Sequence, residues 1–310
     1  MSINKLTKIF FALSAVIFSC KFARAESGVE ISRDLSATAK ANNLSLNYKL
    51  ETDEDEITGI FGFSHKWGYD FSSAVANINL NSNLDDFEIR SLTHRLTYDF
   101  IVNEAFTLAV KVSTEVFNTD EARQNIGSVG VNYQFDRFQL GYMASTTDTY
   151  QEGPVVILGT DYKEQIRFNR KSASYFVGFN WSKTLGTTLN YTEYTYDKNL
   201  DSSYTALTTA AFLNRAGGAV ANEIGSQLKS SLDLNVSYSL TEKLLLLIGL
   251  GSSQEYLSPS AKSNNVSVGL DYETNTEKIT YRFFGLLDVA KTVDVDGTSI
   301  SGQLGTSINF

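Results

Sequence analysis

From about residue 36 to its last residue, this chain places apolar side chains at every second position, the period of a β-strand. The clearest stretch runs Val129, Val131, Tyr133, Phe135, then the polar pair Asp136-Arg137, then Phe138, Leu140, Tyr142. Two alternating runs joined by two polar residues read as a tight hairpin. The design recurs from Leu96 to Val112 through 101–105, from Tyr175 to Tyr191 through 182–184, from Leu232 to Leu250 through 241–243, and from Val266 to Phe283 through 273–278. No amphipathic helix interrupts the series. The chain therefore reads as one all-β, antiparallel, up-and-down unit.

The strand count is about fourteen: 36–50, 57–67, 71–81, 89–100, 106–117, 127–135, 138–147, 172–181, 185–196, 227–240, 244–253, 264–272, 279–289 and 299–310. The third is the weakest signal, and twelve or sixteen strands would keep the same parity. The connections at the far ends are longer: 51–56, 82–88, 118–126, 148–171, 197–226, 254–263 and 290–298, with both prolines, Pro154 and Pro259, among them. Short turns at one end and long loops at the other are the asymmetry of a transmembrane barrel.

Alternation alone does not say which face is wet, because a soluble lipocalin-like barrel has the same period with its apolar face inward. Three features favour the membrane. Side chains fill a barrel of about eight strands, whereas fourteen leave a lumen. Aromatics (Trp67, Phe100, Phe135, Phe138, Trp181, Tyr238, Tyr272) stand beside the short turns, where an interfacial girdle belongs. The last strand ends on Phe310, with Ile308, Thr306 and Leu304 on the same face.

That ending resembles the C-terminal signal of Gram-negative outer-membrane proteins, with Thr306 standing where the family usually has an aromatic. The resemblance covers the mature chain as architecture and the last strand as motif. It implies insertion by the barrel-assembly machinery, with Leu304, Ile308 and Phe310 as the signal, and outer-membrane lipid and lipopolysaccharide as surroundings.

The N-terminus fits that destination. Lys5 and Lys8, the apolar run 9–18 and Ala23-Arg24-Ala25 have the form of a secretory signal peptide cleaved after Ala25, the run being too short to span a bilayer. A lipoprotein cut before Cys20 is disfavoured by bulky Phe18. The domains expected are a signal peptide (1–25), a periplasmic or lumen-inserted segment (26–35) and the barrel (36–310). Loss of the four cations Lys5, Lys8, Lys21 and Arg24 takes the net charge from −9 to −13. So acidic a chain does not suit nucleic acid. Without Cys20 no disulfide or thiolate metal site remains, and no cofactor is implied.

Enzymatic barrels of this class resemble one another in a His-x-Ser pair or in acidic pairs with Asp-x-His. Here His65 precedes Lys66-Trp67 and His94 precedes Arg95-Leu96, both in phase with the apolar face, so no catalytic residue is assigned.

Function must then lie in the lumen. Pairing Phe100 with Phe106 puts Arg95 opposite Lys111 and Ser91 opposite Glu115. Asp233 stands at similar height near the far wall, and Arg282 and Asp288 share the thirteenth strand. Such opposed charges suit a channel for passive diffusion of small hydrophilic solutes. Leu245, Leu247, Phe284 and Leu286 also point inward, an apolar strip that needs a cover from loop 204–224 or from 26–35, or else binds a hydrophobic solute. The alternatives are thus a channel for small hydrophobic compounds and a structural or surface-interaction barrel with an occluded lumen. In the latter, acidic Glu51–Glu56 and basic Lys163, Arg167, Arg170 and Lys171 would be the outer contacts.

Overall fold

The computed structural model describes residues 25–36, 41–52, 55–57, 63–78, 87–103, 105–117, 122–157, 160–197, 228–256, 262–276, 279–292 and 298–309. They form fifteen strands: β1 (Ala25–Ser36), β2 (Ala41–Thr52), β3 (Asp55–Ile57), β4 (Phe63–Ile78), β5 (Phe87–Asn103), β6 (Phe106–Phe117), β7 (Ala122–Phe135), β8 (Phe138–Ile157), β9 (Thr160–Asn180), β10 (Leu185–Tyr196), β11 (Leu228–Ser239), β12 (Leu244–Glu255), β13 (Lys262–Asn275), β14 (Thr280–Thr292) and β15 (Thr298–Asn309). Each is antiparallel to its neighbours in a meander. Pairing of β1 with β15 and with β2, and of β2 with β4, gives every long strand a partner on both sides. The three-residue β3 continues β2 along β4 with a one-residue slip (Glu51↔Gly68, then Asp55↔His65), so fourteen long strands carry the ring.

Polar residues shape the tight turns. Asp136 adopts a left-handed conformation (φ 48) between β7 and β8, which the short Asp side chain tolerates. Ser182 Oγ accepts from the backbone N–H of Thr184 and Leu185 (3.1 and 3.0 Å). Thr241 Oγ1 accepts from Lys243 N, Thr276 Oγ1 from Ile279 N and Asn103 Oδ1 from Ala105 N. These side chains close a backbone turn with their own oxygens.

The apolar side chains point out. Val129, Val131, Tyr133, Phe135, Phe138, Leu140, Tyr142, Leu250, Val266, Leu270 and Leu287 are all exposed, and the alternating positions between them are mostly Ser, Thr, Asn, Gln and Gly. Among the described residues the only buried apolar side chain is Phe168, at 2 % exposure. A soluble barrel of this size would bury its apolar set; here that set forms an outward belt, which requires an apolar solvent. The aromatics expected as a girdle lie on this face beside the tight turns: Phe135 (64 % exposed), Trp181 (57 %), Phe138, Tyr238 and Tyr272.

Three expectations are corrected. First, 26–35 is no free segment: it is β1, locked between β15 and β2, and so cannot cover the lumen. Second, 57–67 and 71–81 are not two strands with a turn at 68–70. Phe63, His65, Trp67, Tyr69 and Phe71 keep one parity, and β4 runs straight through. The Gly68-Tyr69-Asp70 sequence mimics a turn, but all three residues stay in the ladder with Thr97, Leu96 and Arg95. These two errors offset each other in the count. They also move Glu51–Glu56 from the long-loop end to the end bearing the tight turns. Third, much of 148–171 is strand: β8 and β9 pair out to Ile157↔Thr160. Pro154 lies within this ribbon, past the last β7 pairing at Gln151, where no second ladder asks for its missing N–H. Pro259, the loop 204–224, Phe310 and the leader up to Arg24 lie outside the described residues.

Closure by β1 is directly testable. Ile31 and Thr306 are opposed residues of adjacent antiparallel strands, within disulfide reach. Ile31→Cys with Thr306→Cys, in a chain starting at Ala25, should oxidise to an intramolecular crosslink that alters mobility on a non-reducing gel. Failure to crosslink in the folded protein would mean that 26–35 hangs free.

Candidate functional site: the inner wall

Alternation fixes the lining. Arg95, Lys111, Glu115, Asp233, Arg282 and Asp288 all fall on the face opposite the exposed apolar belt, as do Leu245, Leu247, Phe284 and Leu286.

The register between β5 and β6 differs from the expected one. β5 runs on to Asn103, past the expected end at Phe100, with a bulge between Ile101 and Asn103; the ladder is displaced by two residues, so Arg95 faces Ser113, Lys111 faces Thr97 and Glu115 faces Thr93. The direct opposition of two cations disappears. Arg95 instead has an acid on its other side: Asp70, directly across on β4, approaches to 4.0 Å with both side chains partly open to solvent. Asp70 was missed because it was assigned to a turn; its parity with Lys66 and Ser72 was the available signal.

Arg282 is also paired. Its Nε and Nη2 donate to the Asp271 carboxylate (2.9, 2.9 and 2.6 Å), and its guanidinium stands over the Phe284 ring at 5.5 Å. The fork-to-carboxylate geometry fixes the side chain against the wall. Asp271 was not singled out in the sequence, although its inward parity between Gly269 and Glu273 was readable.

Asp233 and Asp288 sit in an amide-rich region of β11–β14. Asn265 Nδ2 donates to Asp288 Oδ1 (3.3 Å), while the carbonyl oxygen of Asn265 and a carboxylate oxygen of Asp233 lean together over Gly251. The row Asn190, Asp233, Gly251, Asn265 lies on consecutive strands. In the fourteen-strand ring, β11–β14 lie across the lumen from β5 and β6. Arg95 and Lys111 thus stand across the ring from Asp233 and Asp288, with the acids Asp70 and Glu115 on the first wall and the cation Arg282 on the second.

The apolar strip is half-covered by the wall itself. Phe284 lies across Gly305, where a Cβ would fall inside its ring, and Leu286 crowds Gly269 between the paths of Leu247 and itself. Phe176 uses Gly141 in the same way. Glycines opposite these bulky inward residues let them lie against the wall, so Phe284 and Leu286 gain partial burial from the barrel itself.

His94 points outward. It packs against Phe71 (centroids 5.1 Å apart) and shares a 2.7 Å hydrogen bond with the Tyr69 hydroxyl, which satisfies its ring nitrogen on the apolar face. The basic run splits by parity: Arg167 faces out and binds Asp148 (3.2 Å), Lys171 faces out, and Arg170 faces in, over the Tyr194 ring.

No family model matches the chain, and no curated protein matches it in sequence. Solved structures do. A loop L8 deletion mutant of OmpT, an outer-membrane protein of Vibrio cholerae, aligns over 93 % of this chain and 98 % of its own at 8 % identity, with a TM-score of 0.53. A Pseudomonas aeruginosa FadL homologue aligns over 92 % and 89 % at 10 % identity, TM-score 0.53. A monoaromatic hydrocarbon channel, CymD, aligns over 92 % and 87 % at 9 % identity, TM-score 0.52. At such identities the likeness is one of fold: the chain has the antiparallel barrel fold of Gram-negative outer-membrane proteins.

The glycine notch predicts a coupled pair. Gly305→Ala should push Phe284 off the wall and lower stability by about 1–3 kcal/mol, the usual cost of overpacking. In a Phe284→Ala background the same change should cost almost nothing, giving a clear interaction energy in a double-mutant cycle. Additive effects on the urea midpoint would show that the ring does not rest on Gly305.

Proposed function

We propose that this protein is a passive channel for small hydrophilic solutes in the outer membrane, reached through a signal peptide cleaved after Ala25. The observation that carries the reading is the polar inner wall of a ring too wide for its own side chains to fill. No chemical step or cofactor is assigned. Leu304 and Ile308, outward and exposed on β15, are where the barrel-assembly machinery would dock.

Charge gives the channel its preferences. Arg95 and Lys111 on one wall and Asp233 and Asp288 on the other impose a transverse field that orders water and favours dipolar solutes. A second reading, a channel for small hydrophobic compounds, has the strip of Leu245, Leu247, Phe284 and Leu286 in its favour. Of these, Phe284 and Leu286 lie against Gly305 and Gly269, with Arg282 over the Phe284 ring, which reduces the surface they offer to an apolar guest.

Refolded protein in a planar bilayer should give discrete ohmic steps. Hydrophobic-tracer uptake without such steps would favour the second reading, and a silent bilayer without uptake an occluded structural barrel. Arg95→Ser with Lys111→Ser should move the reversal potential in a salt gradient toward cations, because two positive charges go and Asp70 loses its neighbour. The shift should shrink at 1 M salt, where the Debye length is about 3 Å. An unchanged reversal potential at low salt would remove both residues from the conduction path.

A further inference from the structure

Charge is unevenly spread around the inner wall. Asp70, Arg95 and Lys111 stand on β4–β6, and Asp233, Asp271 and Arg282 on β11–β14. Between these arcs lie β7–β10. Arg170 is inward there, near the long-loop end, in one row with Ile126, Thr147 and Tyr196. From that row down to the tight turns, the inward positions of the four strands hold no Asp, Glu, Lys, Arg or His. Apart from Tyr194 at the upper edge, they are Ser, Thr, Asn, Gln and Gly, with one Met and one Phe.

The Phe is Phe176, at the centre of this uncharged arc. Its ring lies over Gly141 of β8, where a Cβ would collide with it. Asn132 of β7 stands beyond Gly141 in the same row, and Asn190 of β10 stands on the other flank. Gln139, one inward position nearer the turn, leans over Gly178, with its Oε1 3.4 Å from where a Cβ would be. The ring is therefore a small apolar surface with amides on three sides. Each amide has donors and an acceptor to offer. Asn132 Oδ1 is buried without a hydrogen-bond donor, so the wall does not satisfy this row by itself.

A solute that matches this surface needs an apolar face for the ring, hydrogen-bonding groups around its rim and no charge. A pyranose is built that way: its axial C–H bonds make an apolar face, and its hydroxyls radiate from the edge. A charged solute finds no counter-charge on this arc. An apolar guest would strip water from the amides and give no hydrogen bond in return.

We propose that the inner wall of β7–β10 carries a weak site for one pyranose unit of a neutral saccharide, stacked on Phe176 and hydrogen-bonded by Asn190, Gln139 and Asn132. The inference rests on the reading of the lumen as an open channel and gives that channel a substrate class. Weak binding suits it, because a site in a conducting path must release what it takes up.

Single-channel recording of the refolded protein in a planar bilayer tests it, with the neutral trisaccharide raffinose as probe. Raffinose should block the current in a saturable way. A polyethylene glycol of similar mass should lower the conductance without saturating. Phe176→Ala should raise the half-blocking concentration at least about fivefold, and Asn190→Ala about three- to tenfold. Phe284→Ala, which removes the ring beside Arg282, should leave the block as it is. The half-blocking concentration should also be the same at about 0.1 M and about 1 M salt, since no charge is engaged. Ohmic steps that raffinose lowers no more than the glycol does would overturn the site and leave the channel standing. So would a block indifferent to Phe176→Ala, or one lost equally with Phe284→Ala. A silent bilayer would overturn the channel and the site together. If Phe176→Ala does not fold, Phe176→Leu, which keeps apolar bulk without the ring, and Asn190→Ala decide in its place.

Discussion

No water reaches a peptide group at the centre of a bilayer, so every N–H and C=O there must find its partner within the protein. A helix does this locally; a sheet does it only by leaving no edge. The pairings of β1 with β15 and of β2 with β4 meet that demand, and the remaining features follow from it. Closing fourteen strands creates a wall with two faces in two solvents. The period of two then assigns each residue to one of them.

Alternation was legible because it repeats without a break over hairpin after hairpin. The long apolar positions of β7 to β15 could be placed on their faces from the sequence with no register information. What escaped was information that alternation does not carry. β5 runs past Phe100 to Asn103 with a bulge after Ile101, and the resulting two-residue slide against β6 keeps parity, so the neighbours of Arg95 and Lys111 were misassigned while their inward direction was right. Asp70 was lost because Gly68, Tyr69 and Asp70 have turn chemistry, although Tyr69 and Phe71 keep the strand's phase. β1 was lost because the alternation Val29, Ile31 is interrupted by Arg33 in the sequence, which weakens the period-two pattern there.

These corrections change the electrostatics more than the architecture. The lumen holds pairs, Arg95 with Asp70 and Arg282 with Asp271, in place of bare charges. The open Arg95–Asp70 pair contributes little to stability, whereas the forked Arg282–Asp271 pair, with Asp271 only 12 % exposed, holds its side chains in place. Both pairs act on the field a solute meets. The glycines at 141, 269 and 305 act similarly on shape: each lets a bulky inward residue lie against the wall.

The claim on which all of this rests is the direction of the two faces, and site-directed spin labelling along β13 measures it directly. Single labels at positions 264 to 272 in liposome-embedded protein should alternate strictly. Val266, Val268 and Leu270 should show high collision rates with oxygen dissolved in lipid, and Ser267, Gly269 and Asp271 high rates with a water-soluble nickel chelate. The opposite phase, or no alternation at all, would contradict an outward apolar belt around a polar lumen.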